Sequence, residues 1–146
     1  MIGKHQPSLL RIIQIDYPAF LAFVFPIVFF GVFLFIFLTE GRVEIVFVYV
    51  VAAITLFSLL FFLWRYNFFL SLYNEGIEAQ ATVNGIGFFR GRGKVTYVYT
   101  FRGQKYISGN TIMKTNRTTR INRGDEVTVY IDQNNPKRAI IKHLCI

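Results

Sequence analysis

Two unbroken apolar blocks occupy the first half of the chain. Ala19–Leu38 runs 20 residues without a charge, and Ile45–Trp64 runs another 20. At ~1.5 Å rise per residue, each block would span ~30 Å as a helix, the thickness of a bilayer's hydrocarbon core. The pattern predicts an integral membrane protein with a short helical hairpin. The polar groups inside the blocks are Tyr49, Thr55 and Ser58. Ahead of the first block, Leu9, Leu10, Ile12, Ile13 and Ile15 alternate loosely with Arg11, Gln14 and Asp16. Pro7-Ser8 can start a short helix lying in the membrane interface; the alternative is a frayed lead-in.

Beyond Arg65 the apolar pattern continues through Phe68, Phe69, Leu70 and Leu72. The second helix is expected to leave the bilayer and run to about Asn74. Gly76 would stop it by adopting the left-handed conformation. From Ile77 the period becomes two. Ala79, Ala81 and Val83 alternate, with Ile86 and Phe88 beyond Gly85; Val95, Tyr97, Tyr99 and Phe101 form a cleaner inward set. Arg102-Gly103-Gln104 reads as a turn into Lys105–Thr111. Asp125–Asp132 alternates again through Val127, Val129 and Ile131, and Arg138–Lys142 makes a last short strand after the Asn134-Asn135-Pro136 turn. Alternation of this kind marks strands with one buried face. The expected fold is a membrane α-helical hairpin plus a small all-β domain. In that fold two transmembrane helices precede a five-stranded antiparallel barrel-like module, because closure removes exposed edges. The segments are a lead-in over 1–16, the hairpin over 17–74, and a basic β domain over 76–146.

Composition sharpens this picture. Of 17 phenylalanines, 14 lie at or before Phe69. From Tyr66 onward, twelve Lys and Arg face five Asp and Glu, a net +7 out of +8 for the chain. Beside a membrane, such a domain is drawn to anionic headgroups, at about 1 kcal/mol per well-placed basic residue. Lys4 and Arg11 precede the first block and Arg65 follows the second. The connecting Thr39–Glu44 loop holds Arg42 against Glu40 and Glu44. The positive-inside rule then places both termini in the cytoplasm, with the connecting loop outside. The first block is too long for a signal-peptide core and a second span follows at once.

Candidate chemistry is sparse. Cys145 is the single cysteine, so no intrachain disulfide or thiol cluster is available. His5 and His143 are the two histidines, too few and too far apart for metal-ligand spacing. Asp125 and Glu126 point to opposite faces of a strand, and Glu126 lies ~20 Å from Asp132 along an extended chain. No acid–base pair emerges, and His143 beside Cys145 sits in a tail that would ordinarily be mobile. No Asp, Glu, Lys, Arg or His lies in either block, which argues against a pump or ion pathway. Gly85–Gly91 is off by one residue from a dinucleotide loop and reads better as a hairpin. Asn116-Arg117-Thr118 matches a glycosylation sequon by chance, given this topology. No enzyme activity, cofactor or metal is expected.

Two features could bind something. One is the flexible hairpin tip Arg90, Arg92 and Lys94. The other is the insert carrying Lys114, Arg117, Arg120 and Arg123, where Thr and Asn favour a loop. Within the hairpin, Gly31, Ala52 and Ala53 are small enough for helix–helix packing.

The run Gly76-Ile-Glu-Ala-Gln-Ala-Thr-Val83, then Tyr97-Val-Tyr99, Gly103-Gln-Lys-Tyr106 and Gly124-Asp-Glu-Val-Thr-Val-Tyr-Ile-Asp-Gln-Asn-Asn-Pro136, resembles a widespread bacterial family of membrane-anchored β-domains of unknown function. The resemblance covers roughly Tyr66–Ile141 and, loosely, the hairpin. It implies architecture; it carries over neither an enzyme activity nor a ligand. The basic insert between Ile112 and Arg123 departs from the commoner pattern.

The expected function is a non-enzymatic, membrane-anchored binding or assembly module whose basic β domain contacts anionic lipid headgroups or an acidic partner. The alternative is an accessory subunit of a larger membrane complex held through the Phe-rich helices; the partners expected are membrane lipids and either a membrane protein or further copies of the chain. Nucleic acid is disfavoured, because Tyr97, Tyr99 and Phe101 are better used as core than as a stacking platform.

Overall fold

The change of period at Gly76 is the hinge of the architecture: helices precede it and a sheet follows. The computed structural model describes residues 8–145, the side chain of Cys145 aside. Lys4, His5 and Pro7 lie outside the described residues. Three helices come first: α1 (Leu9–Ile15), α2 (Tyr17–Glu40) and α3 (Ile45–Glu75). Both α2 and α3 are long and apolar enough to cross a membrane, and only 6% of each apolar window is buried. A core helix of similar hydropathy would be mostly covered, so these two helices present apolar flanks without protein cover. Leu38 at 74% and Phe57 at 73% exposure are typical. Helix α2 ends on Gly41, whose φ of +69° is the left-handed cap.

Five strands follow: β1 (Ile77–Phe89), β2 (Arg92–Phe101), β3 (Gln104–Met113), β4 (Glu126–Ile131) and β5 (Ala139–Ile141). They form one antiparallel sheet in the order β3-β2-β1-β4-β5, curled into a nearly closed barrel. The expected inward set is buried: Val95, Tyr97, Tyr99, Phe101 and Val129 are all at 9% exposure or less. The β1–β2 and β2–β3 turns are Arg90-Gly91 and Arg102-Gly103, all four residues at positive φ. Two successive left-handed residues make the turn twist that matches paired strands. The expected flexible tip thus shrinks to two residues, with Arg92 and Lys94 fixed in β2.

Edge strands β3 and β5 meet without a ladder. Side chains span the seam to backbone carbonyls. Ser108 Oγ donates to Lys137 O (3.0 Å), Asn110 Nδ2 to Ala139 O (3.2 Å), and the Tyr97 hydroxyl also donates to Ala139 O (2.7 Å). The Tyr99 hydroxyl donates to Pro136 O. Closure by side chains leaves no long unsatisfied edge where the sheet stops pairing.

Three elements depart from the sequence-based picture. First, α1 packs onto the β domain: Ile12 and Ile15 are buried in the same core as Leu72, Tyr97 and Ile141, while Leu9 and Leu10 stay exposed. Phe69, Leu72 and Tyr73 of α3 belong to that core too. The β domain's interior is therefore completed by the helices on either side of the apolar blocks. Second, the tail is docked. It forms α4 (Lys142–Cys145), with Leu144 buried and the Tyr73 hydroxyl donating to Lys142 O at 2.9 Å. Third, Gly76 is extended, at φ −66° and ψ 145°, not left-handed. Its role is close approach: a Cβ there would lie 2.1 Å from Leu72 O.

The small residues in the hairpin also fall differently. Gly31 has open space where a Cβ would be, and Ala52 and Ala53 are exposed. They do not pack α2 against α3; within the two apolar blocks the buried positions are Ala19, Ala22 and Val51.

Candidate functional site

A buried ion pair sits where the apolar blocks begin and end. Asp16 caps α2 by accepting from Ala19 N (3.1 Å), and its two oxygens receive Arg65 Nε (2.9 Å) and Nη2 (2.7 Å). The Asp16 side chain is 4% exposed and that of Arg65 16%. The guanidinium also lies 5.0 Å and 5.1 Å from the ring centroids of Phe68 and Phe69. Residue 16 further bridges β3 at Ile112. The carboxylate thus ties α2 to α3, and the backbone of the same residue pairs with the sheet. In the sequence Asp16 belongs to the alternating lead-in and Arg65 to the charges that flank the second block. Their pairing across 49 residues leaves no local signal; the one hint is an acid immediately ahead of Tyr17-Pro18, an N-cap pattern.

The basic residues divide into two groups. Around the β1–β2 turn, Arg90 lies over the exposed Phe89 ring (5.2 Å), and the Arg92 guanidinium lies 5.6 Å from the Tyr17 ring centroid. Lys114 N donates to Gly91 O at 2.8 Å, which brings the start of the insert to the same turn. Lys94 follows Arg92 by two residues on the exposed face of β2. Arg90, Arg92 and Lys114 therefore gather at the β1–β2 turn with Lys94 just beyond on β2, and Arg92 reaches the first residue of α2. Phe89, 64% exposed in their midst, was not among the candidate contacts.

The second group lies on the insert, which folds more tightly than a plain loop. Thr118 is fully buried; its hydroxyl donates to Met113 O (2.7 Å) and accepts from Thr115 N (2.8 Å). One 3₁₀ turn, Thr118–Arg120, follows. Arg117 and Arg120 are exposed, and Arg123 edges a trough of about 730 Å³ on the outer face of β1 and β2 with Gln80, Thr82, Asn84, Thr100 and Lys105. The three-residue spacing does not align the four cations on one helix.

The shifted titrations follow burial and neighbouring charge. Burial pushes the Tyr97 and Tyr99 phenols above the ordinary tyrosine range. Burial and the neighbouring Glu78 carboxylate raise Tyr130. Lys142 is raised chiefly by its 2.7 Å contact with Glu78. No group of three metal-ligating side chains occurs among the described residues.

In comparisons with known proteins, residues 79–144 match a family described as "Domain of unknown function (DUF3592)". The match overlaps the stretch that carries the sequence resemblance and extends three residues past its end, consistent with an uncharacterised family of small domains. No curated protein and no solved structure gives a significant match.

Proposed function

We propose that this chain is a non-enzymatic, membrane-anchored module of a bacterial inner membrane, with both termini cytoplasmic, whose basic β domain contacts anionic lipid headgroups. The observation that carries this reading is the stacking of Arg92 on Tyr17. It sets the cationic β1–β2 turn at the first residue of an apolar helix, where a headgroup layer would lie. The exposed Phe89 between cations supports it: an aromatic ring can enter the interface while its neighbours hold phosphates. The test uses the full chain in nanodiscs, because the domain core includes α1 and α3. Hydrogen exchange over 86–94 and 114–123 should slow in discs containing anionic lipid, and the difference should shrink as salt rises. Equal exchange in neutral and anionic discs overturns the reading. A C-terminal reporter active only in the cytosol checks the orientation.

A second reading, an accessory subunit or homo-oligomer, is supported by the outward position of Gly31, Ala52 and Ala53. Small residues facing away from the chain's own helix pair suit close approach by another helix. For an accessory subunit, mild solubilisation should give one stable heteromeric species; a clean monomer or homodimer counts against it.

A further inference from the structure

We infer that the cleft between α2 and α3 at this same end is a binding site for one anionic phospholipid, with an acyl chain in the cleft and its phosphate on Arg92. The inference rests on the membrane-surface reading and gives it a defined ligand.

The cleft is walled by Tyr17, Leu21, Ala22 and Phe25 on α2 and by Phe57 and Phe61 on α3. Its volume is about 470 Å³, within the range of ~300–1,000 Å³ typical of small-ligand sites. From Tyr17 to Phe25 the α2 wall runs ~12 Å along the helix axis. The floor is made by Ala22, buried to 7%, and the rims by Phe25 and Phe61, at 48% and 43%. The α2 residues recur at i, i+4, i+5 and i+8, one helical face, so the floor is continuous. An apolar slot at the level of the hydrocarbon has lipid tails as its surrounding solvent, which settles the kind of molecule that fills it.

Charge selects the headgroup. Arg92 lies on the ring of Tyr17, the residue at the mouth of the cleft. It makes no ion pair among the described residues; the two ion pairs there are Arg65–Asp16 and Lys142–Glu78. The α2 N-terminus does not compete for the phosphate. Asp16 already occupies its Ala19 amide, and Pro18 has no N–H. The guanidinium fork is then the donor best placed for a phosphate at the mouth, and its geometry suits two phosphate oxygens at once.

The test is lipid retention by the full chain, released from nanodiscs of equal phosphatidylcholine and phosphatidylglycerol and weighed by native mass spectrometry. One phosphatidylglycerol per chain should remain bound. Arg92→Gln should lower that retained fraction about tenfold, the order expected for losing a charge-assisted hydrogen bond. Ala22→Phe, which fills the floor, should abolish retention of either lipid; Ser58→Leu, at the α3 lip, provides a second blocking variant should the first misfold. Arg42→Gln, at the opposite end of the hairpin, should change nothing. Retention without headgroup preference, or undiminished in Arg92→Gln and both blocking variants, overturns the site. The two readings fail separately. Anionic-dependent exchange protection that survives in Ala22→Phe, with no lipid retained by the unmodified chain, refutes the cleft but keeps the surface contact. Absence of protection refutes the surface contact itself.

Discussion

Replacing Asp16 should destabilise the protein more than any other single carboxylate substitution. Two charges 4 Å apart attract by about 4 kcal/mol at an effective dielectric constant near 20. Here both arms of the guanidinium fork engage at 2.7 and 2.9 Å, with little solvent access. Removing one partner of such a pair leaves a buried charge uncompensated and costs about 3–5 kcal/mol. Asp16→Ala also deletes the cap on Ala19 N, worth about 1 kcal/mol, for a total of about 4–6 kcal/mol. Asp16→Asn keeps a capping oxygen and should recover about that 1 kcal/mol. Arg65→Met, similar in length, should cost nearly as much as Asp16→Ala. The double variant Asp16→Asn/Arg65→Met should cost far less than the sum of its singles, with a coupling energy of about 2–3 kcal/mol. The assay is reversible unfolding of the full chain in neutral bicelles at fixed protein-to-lipid ratio, so that lipid binding does not shift the baseline. A coupling energy below about 0.5 kcal/mol would refute the claim that this pair fastens α2 to α3.

Other consequences are as direct. Gly76→Ala should cost more than 2 kcal/mol, at the upper end of what overpacking does, because the new methyl collides with Leu72 O; Gly31→Ala, in open space, should stay within about 1 kcal/mol of the parent. Thermal unfolding compares the pair. Thr118→Val keeps the shape but strands the Thr115 amide and Met113 carbonyl, so about 1–3 kcal/mol should be lost in denaturant melts. At alkaline pH, the buried phenols of Tyr97 and Tyr99 keep their protons in the folded state while the unfolded chain releases them near pH 10. The folded state then binds more protons, so stability falls as pH rises above about 10. Ultraviolet titration should show these tyrosines ionising last, and Tyr97→Phe should flatten the alkaline loss.

What the sequence disclosed and what it withheld follow from range. The apolar blocks and the period-two strands are local patterns, each written within about twenty residues, and they reappear as α2, α3 and the inward face of β2. Turn chemistry at Arg102-Gly103 and the Asx contacts of Asp132 with Asn134 and Asn135 are local as well. The pair Asp16–Arg65 and the seam from Asn110 to Ala139 join residues far apart, and nothing beside either residue announces its partner. Helix α1 was legible as amphipathic, but a stripe such as Ile12 and Ile15 fits a lipid surface and a protein core equally well; only tertiary packing chose the core. At the candidate site, the cations were visible as composition. Their gathering at one turn, with Arg92 on Tyr17, depends on the register between β1 and β2 and on the Lys114–Gly91 bond, which no spacing rule encodes.

Helix α3 runs 31 residues, ~46 Å, without a break from the hairpin loop to Gly76, and its last turns are core of the β domain. The domain is splinted, not leashed. A domain on a flexible leash searches a volume set by linker length and dilutes its own binding surface accordingly. Here the orientational entropy is surrendered once, on folding, and each cation keeps a fixed height and heading relative to the apolar helices. Under the proposed placement, any tilt that α3 adopts to match bilayer thickness is transmitted undamped to the barrel, raising one rim and lowering the other. The geometry makes the far face of the domain a pointer whose angle reports the membrane below it.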